Sequence, residues 1–218
     1  MGIFELNKKL ATLYGNLEPI NPPLPFYLNI SEKFPTSQNN VEDIIYTTIK
    51  YILNPHKITT SAMYNGNILI PDTPSLTTKT YQAITTQFMS VKKYYDKLKP
   101  YPIKHLTITF ASDYHISAHD ARNIAESILY SLRSFDSYQY LYAVHDKQWN
   151  YEEGRWTPPH IHFLINTTNY KTGKTLDFNQ DTFDNFRSII LHAMNNNGIL
   201  DYFNVPIHQI SRLYKIPF

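Results

Sequence analysis

The chain contains no cysteine. Disulfides and thiolate metal sites are therefore excluded, and a reducing cytoplasm is the compartment this composition fits. Long apolar runs are also missing. None approaches the roughly 18 residues that a membrane-spanning helix needs, so no membrane association is expected. The opening "MGIFELNKK" has no secretory h-region, and Leu6 stands where a myristoylation signal carries Ser or Thr. Strong positive charge is absent as well. The net charge of +2 is low for a protein that grips duplex DNA mainly by its charge.

Aromatic residues are plentiful, with 18 Tyr and 12 Phe. Tyrosine-rich surfaces stack unpaired bases, at about 1–3 kcal/mol per stack, although an abundance of Tyr also arises without any such role. Residues 1–40 read as an irregular, Pro-rich N-terminal arm, with a short helix over residues 3–14. The segment "LEPINPPLPFYLN" can be neither a helix nor a central strand, because proline fixes φ and lacks a donor. Residues 41–218 read as one domain. Val41, Ile44, Ile45, Ile49 and Ile52 repeat at helical spacing over residues 41–53 and are stopped by "NPHK". Tyr51 falls at the edge of that stripe, beside Ile44. Residues 54–79 read as a long loop with an extended piece at "NILIP", and residues 80–98 as a second helix.

From residue 105 the pattern sharpens. "HLTITF" alternates, placing Leu106, Ile108 and Phe110 on one face and His105, Thr107 and Thr109 on the other. Ser117 caps a helix with Asp120 as its capping-box partner, and Ala121, Ile124, Ala125, Ile128, Leu129 and Leu132 form its buried stripe. "YLYAVHD" and "PHIHFLIN" are two further strands, "TTNYKTGKTLDF" is a polar turn region, and residues 180–195 form a last helix. If the two strands pair antiparallel around the loop 147–158, His145 lies opposite His160. Opposed residues share a face, with Cβ atoms roughly 4.5–5.5 Å apart. His162, about 6.6 Å along the strand, shares that face too. Three imidazoles then converge on one metal ion. Three neutral ligands with open positions suit a catalytic ion rather than a closed structural one. Ligand softness favours Mn²⁺, Zn²⁺, Co²⁺ or Ni²⁺ over Mg²⁺.

These segments in this order resemble the relaxases, mobilisation nucleases within the HUH endonuclease superfamily. The order is "IKHLTITFASDYHIS", a helix, "QYLYAVHD", "PHIHFLIN" and "TTNYKTGKTLDF", with "TTIKYILNPHKITTSAMYNGN" upstream. The resemblance covers residues 41–190. It departs from the family pattern at Pro158, where many members carry a further His, and at Asp146, which follows its His directly. The loop 147–158 is also long and holds two Trp.

The resemblance implies an α+β fold: a central, mostly antiparallel sheet with helices on one face and a three-His metal site on the other. It implies His145, His160 and His162 as ligands of a divalent ion, Mn²⁺ or Mg²⁺ in known relaxases, and Tyr51 as nucleophile. The reaction is then site-specific nicking and rejoining of single-stranded DNA at an origin of transfer through a 5′-phosphotyrosine, with accessory mobilisation proteins as further partners. A phenol has a pKa near 10 and needs a base or a nearby cation; Asp146 and Asp113 are candidates for the base.

Lys92, Lys93, Tyr94, Tyr95 and Lys97, in "KKYYDKLKPYPIK", together with Lys171 and Lys174, are expected to contact DNA; a solvated helix end is the plainer reading of that stretch. Tyr51 can equally be a helix-edge aromatic, and Tyr46, Tyr94 and Tyr95 compete for its role. Other functions remain open. A rolling-circle replication initiator would use Tyr202 or Tyr214, since the last helix has no Tyr. A metal-stabilised single-stranded DNA-binding module and a hydrolase of small phosphoesters are the others.

Overall fold

Strict alternation in three strands decides the architecture. Leu106, Ile108 and Phe110 point to one side of the sheet with Tyr142, Val144, Ile161, Phe163 and Ile165. Ile103, Leu141, Ala143 and Leu164 lie on the other. The computed structural model describes residues 26–32, 40–58, 63–71, 76–98, 102–110, 116–132, 137–150, 154–177 and 179–199. In chain order the elements are β1 (Phe26–Glu32), α1 (Val41–Ile52), β2 (Tyr64–Gly66), α2 (Thr78–Tyr94), β3 (Ile103–Phe110) and α3 (Ala118–Ser131). β4 (Tyr140–His145), β5 (Gln148–Asn150), β6 (Arg155–Thr157), β7 (His160–Asn166) and α4 (Gln180–Asn196) follow. Five strands form one antiparallel sheet in the order β1-β3-β7-β4-β2, and β5 pairs with β6 in a separate ribbon.

The local signals act where the sequence places them. Asn40 caps α1: its side chain accepts from the Asp43 N–H at 2.9 Å, while the Asp43 carboxylate accepts from the Asn40 N–H at 3.3 Å. Pro55 lies just past the end of α1, where a helix cannot continue. Ser117 and Asp120 form the expected capping box on α3. α3 packs Ala121, Ile124, Ala125 and Ile128, and α4 packs Phe186, Ile190 and Met194, against the first face. Each fully buried Ile or Phe contributes about 1.5–3 kcal/mol. Slipping β7 by one residue would turn Ile161, Phe163 and Ile165 out of the core and bring in residues of the face that carries His160 and His162, so burial fixes the register.

The structure adds to the expected layering. α3 and α4 cover the face opposite the histidines. α1 and α2 form a second layer on the histidine face, packing Ile45, Ile49, Ile52, Ile84 and Phe88 over Ile103, Leu141, Ala143 and Leu164. The imidazoles lie at the edge of this layer. The irregular reading of residues 1–40 needs correction over Phe26–Glu32, which pairs with β3 as an edge strand. The prolines at 22, 23 and 25 precede it, so none removes a ladder donor. The helix expected over residues 3–14 lies outside the described residues. The loop 147–158 contains the β5–β6 ribbon, and the extended piece expected at "NILIP" falls slightly earlier, at β2.

At the far end of β7 the "TTNYKTGK" turn closes on a Thr168–Thr175 bridge. Gly173 has a φ of +70° there, and a Cβ at that position would overlap the Tyr95 ring. Beneath this turn Lys92 departs from the sequence reading. It is 0% exposed, and its ammonium donates to Thr168 Oγ1 at 3.1 Å and Thr167 Oγ1 at 3.3 Å. It is therefore not a surface DNA contact: the helical turn that exposes Lys93 and Tyr94 turns Lys92 into the sheet. Burial lowers its pKa to about 7. A lysine whose folded pKa is depressed opposes folding progressively as pH falls from about 10.5 toward 7, because the unfolded chain takes up the proton first. Lys92→Met should therefore raise the thermal midpoint by roughly 2–4 °C per kcal/mol relieved. In thermal melts across pH the gain should be largest at and below pH 7 and shrink in alkali.

Candidate metal centre and nuclease site

The ladder sets His145 directly opposite His160, and Ala143 opposite His162. β3 brings Thr107 opposite His162 and Thr109 opposite His160. One ring nitrogen from each of His145, His160 and His162 lies within 4.8 Å of the others. His162 Nε2 and His145 Nδ1 are 3.1 Å apart, close to the spacing of two nitrogens that each bind one ion at about 2.0–2.1 Å.

The outward nitrogens are all held. His145 Nε2–H donates to the Ile52 carbonyl at 2.8 Å, and His160 Nδ1–H donates to the Pro158 carbonyl at 3.0 Å. His162 Nδ1 meets His105 Nε2 at 2.9 Å and Thr107 Oγ1 at 3.2 Å, and His105 Nδ1 meets Ser31 Oγ at 3.3 Å. Such backing fixes tautomer and ring orientation, as metal-binding imidazoles require. A consistent assignment has His162 donating to His105 and His105 donating to Ser31, leaving His162 Nε2 with its lone pair toward the other two rings.

Electrostatics favours the same state. His145 is fully buried, and His162 nearly so. Burial, foremost, holds the His145 pKa down at about 4, opposed by its bond to Ile52 and assisted by the nearby His160, Lys57 and His105. His160 is lowered by burial and by Lys57. His162 is lowered still further by burial and by the neighbouring rings of His145, His160 and His105. At neutral pH the three are uncharged and can donate lone pairs. The donor set fits a divalent ion.

Tyr51 stands on the last turn of α1, one residue before the carbonyl that receives His145. Its ring centre lies 5.4 Å from that of His162, 6.0 Å from His145 and 6.1 Å from His105, edge-on to each. It nevertheless remains 45% exposed. Lys57 Nζ sits 4.8 Å from the centre of the phenol ring, carried there by the Asn-Pro-His-Lys turn that ends α1. The structure thus brings Tyr51 and the three histidines together.

The competing tyrosines lie elsewhere. Tyr46 packs edge-on against Tyr81. The Tyr95 hydroxyl donates to the Tyr170 carbonyl at 3.1 Å, beyond the far end of β7 and about 20 Å along the strand from His160. Tyr94 beside it is exposed, as are Lys93, Lys97, Lys171 and Lys174. Asp146 Oδ1 accepts from the Lys147 N–H at 2.6 Å, a local turn contact. Asp113, Tyr202 and Tyr214 lie outside the described residues.

Two residues carry more of the site than their sequence pattern indicates. His105 was legible only as a member of the polar face of β3; its hydrogen bond to His162 depends on the β3–β7 register. Lys57 belongs to a quoted motif but is brought to Tyr51 by the turn geometry.

A sheet of this topology with three neutral imidazoles gathered on one face defines the HUH endonuclease fold. The family model described as relaxase, MobA/VirD2-like, nuclease domain matches residues 51–199, more than half of the chain. The chain belongs to that relaxase family. No curated protein matches it. Family and histidine cluster together support a metal-dependent, relaxase-type nuclease, and the family implies single-stranded DNA binding. Among the described residues no helix is long and apolar enough to cross a membrane.

Two outcomes are expected. His105→Ala removes the backing of His162 and should weaken Mn²⁺ binding by about 10- to 100-fold, read by isothermal titration. Without metal, the depressed histidine pKa values make stability fully present above about pH 6.5 and progressively lost as pH falls toward 4, because the unfolded chain protonates first. Thermal melts in chelator between pH 8 and 4 read that window. A midpoint that holds level down to pH 4 would contradict it.

Proposed function

We propose that this protein nicks and rejoins single-stranded DNA through a covalent bond to Tyr51. The observation that carries the reading is an accessible phenol packed edge-on against His162, at 5.4 Å between ring centres, beside a three-imidazole donor set. The Tyr51 oxygen attacks a scissile phosphodiester. An O–P bond forms to the 5′ side, the P–O3′ bond breaks, and the phenol's proton leaves as the 3′ oxygen gains one. The reverse reaction rejoins the strand. A divalent ion held by His145, His160 and His162, Mn²⁺ or Mg²⁺, supplies Lewis-acid stabilisation of the phosphate's charge when bound.

The chain's own groups do the remaining work. His105, Thr107 and the Ile52 and Pro158 carbonyls keep the three rings oriented. Lys57 holds a cation beside the phenol, where it neutralises an approaching phosphate. Lys93, Tyr94, Tyr95, Lys97, Lys171 and Lys174 offer cations and aromatic faces to the strand beyond the site. Lys92 is left out of that set. The biological setting is mobilisation of a plasmid or other mobile element, with cleavage at an origin of transfer in the cytoplasm and accessory mobilisation proteins as partners. A replication initiator of the same superfamily would carry its nucleophile after the His-x-His strand, and α4 contains no Tyr.

Incubation with labelled single-stranded oligonucleotides spanning a cognate origin and Mn²⁺ should give a covalent adduct on a denaturing gel. Tyr51→Phe should abolish it, and His160→Ala should reduce it at least about 100-fold, in line with the loss of a single electrostatic stabiliser. An adduct that survives Tyr51→Phe and disappears with Tyr202→Phe or Tyr214→Phe would move the assignment to a replication initiator.

A further inference from the structure

Between the two strands that carry the histidines, the chain makes a detour. β4 ends at His145 and β7 begins at His160, and antiparallel neighbours need only about 2–5 residues to connect them. Among the described residues between them, β5 and β6 pair as a ribbon, with Gln148 opposite Thr157, Trp149 opposite Trp156 and Asn150 opposite Arg155. Its two legs spring directly from two of the three imidazoles. The second leg is also tied to the site, since the Pro158 carbonyl holds His160 Nδ1–H.

The ribbon's composition is unusual for this chain. Both of its tryptophans are here, at positions 149 and 156. Trp156 is 54% exposed, a costly placement for the largest aromatic side chain. Lys147 Nζ lies over its ring, 4.8 Å from the centre, so a cation rests on the indole beside the site.

We propose that the β5–β6 ribbon is a base-stacking arm for single-stranded DNA, with Trp156 as the platform and Lys147, which a stacking base displaces from the indole, meeting the phosphate of that nucleotide. The inference rests on the reading of the adjacent site as a single-strand nuclease. An unpaired base presents a whole face to an indole, whereas a base inside a duplex has both faces covered by its neighbours. The platform accepts any base, so the arm grips the strand beside the scissile phosphate without reading sequence. It is distinct from the exposed Lys–Tyr patch at the opposite end of β7.

The chain supplies its own reporter, because tryptophan emission comes from this ribbon alone. In Trp149→Phe the only remaining indole is Trp156. Titration of that variant with oligodeoxythymidylate, without metal so that no cleavage intervenes, should quench its emission. The midpoint should match that found by anisotropy of a labelled oligonucleotide. Trp156→Ala in the full chain should weaken binding by roughly 5- to 150-fold, and Trp156→Phe by much less. Thermal melts check that the fold survives, as a half-exposed side chain allows. Lys147→Ala should flatten the dependence of log affinity on log salt by nearly one counterion. Binding seen by anisotropy with unchanged emission and unchanged affinity in Trp156→Ala would overturn the arm and leave the nuclease reading standing. Equal quenching by a duplex of the same length would also overturn stacking. Absence of single-strand binding by both readouts would remove the arm and the nuclease reading together.

Discussion

One hydrogen bond ties the two halves of the site together. His145 Nε2–H donates to the Ile52 carbonyl at 2.8 Å. It joins a strand that carries one of the three clustered imidazoles to the helix that carries Tyr51. The same bond fixes which His145 nitrogen faces the other imidazoles, and it pins the last turn of α1 against the sheet. Its surroundings make it rigid: Ile49, Ile52 and Leu53 on one side and Ala143 on the other are fully buried. A buried carbonyl with no donor would cost about 1–3 kcal/mol, so α1 cannot drift from His145 without penalty.

The second constraint is the pleat. A sheet buried on both faces would ordinarily be apolar on both. Here one face of β7 is apolar throughout, while the other begins with His160 and His162 and turns apolar only at Leu164. α1 and α2 cover the apolar part, and the last turn of α1 reaches the imidazoles. The site therefore lies at the edge of a covered face. Enough burial remains to keep the rings neutral, and enough opening to leave the Tyr51 phenol in solvent.

How much of this was legible in the sequence follows from the range of each interaction. The histidine triad was readable because a hairpin register is local: once His145 opposes His160, His162 must share their face. The Ser117 cap and the apolar stripe of α3 were readable for the same reason. The α1–α2 layer over the histidine face was not, because amphipathicity says that a helix is covered on one side but not by which sheet face. Lys92 was misjudged because "KKYY" reads as a solvated helix end, and only the docked turn shows that one of its lysines faces inward. The edge strand Phe26–Glu32 was hidden behind the proline cluster that precedes it. The bond between His105 and His162 joins strands separated by a helix and three strands, so spacing carried no trace of it.

The central claim is that imidazoles 145, 160 and 162 act as one ligand set beside the Tyr51 phenol. Pulsed electron paramagnetic resonance of the Mn²⁺-loaded protein tests it most directly, because it counts imidazole nitrogens coupled to the ion. The account predicts three coupled imidazole nitrogens, falling to two in His160→Ala. One coupled nitrogen or none, or a count that His160→Ala leaves unchanged, would contradict it.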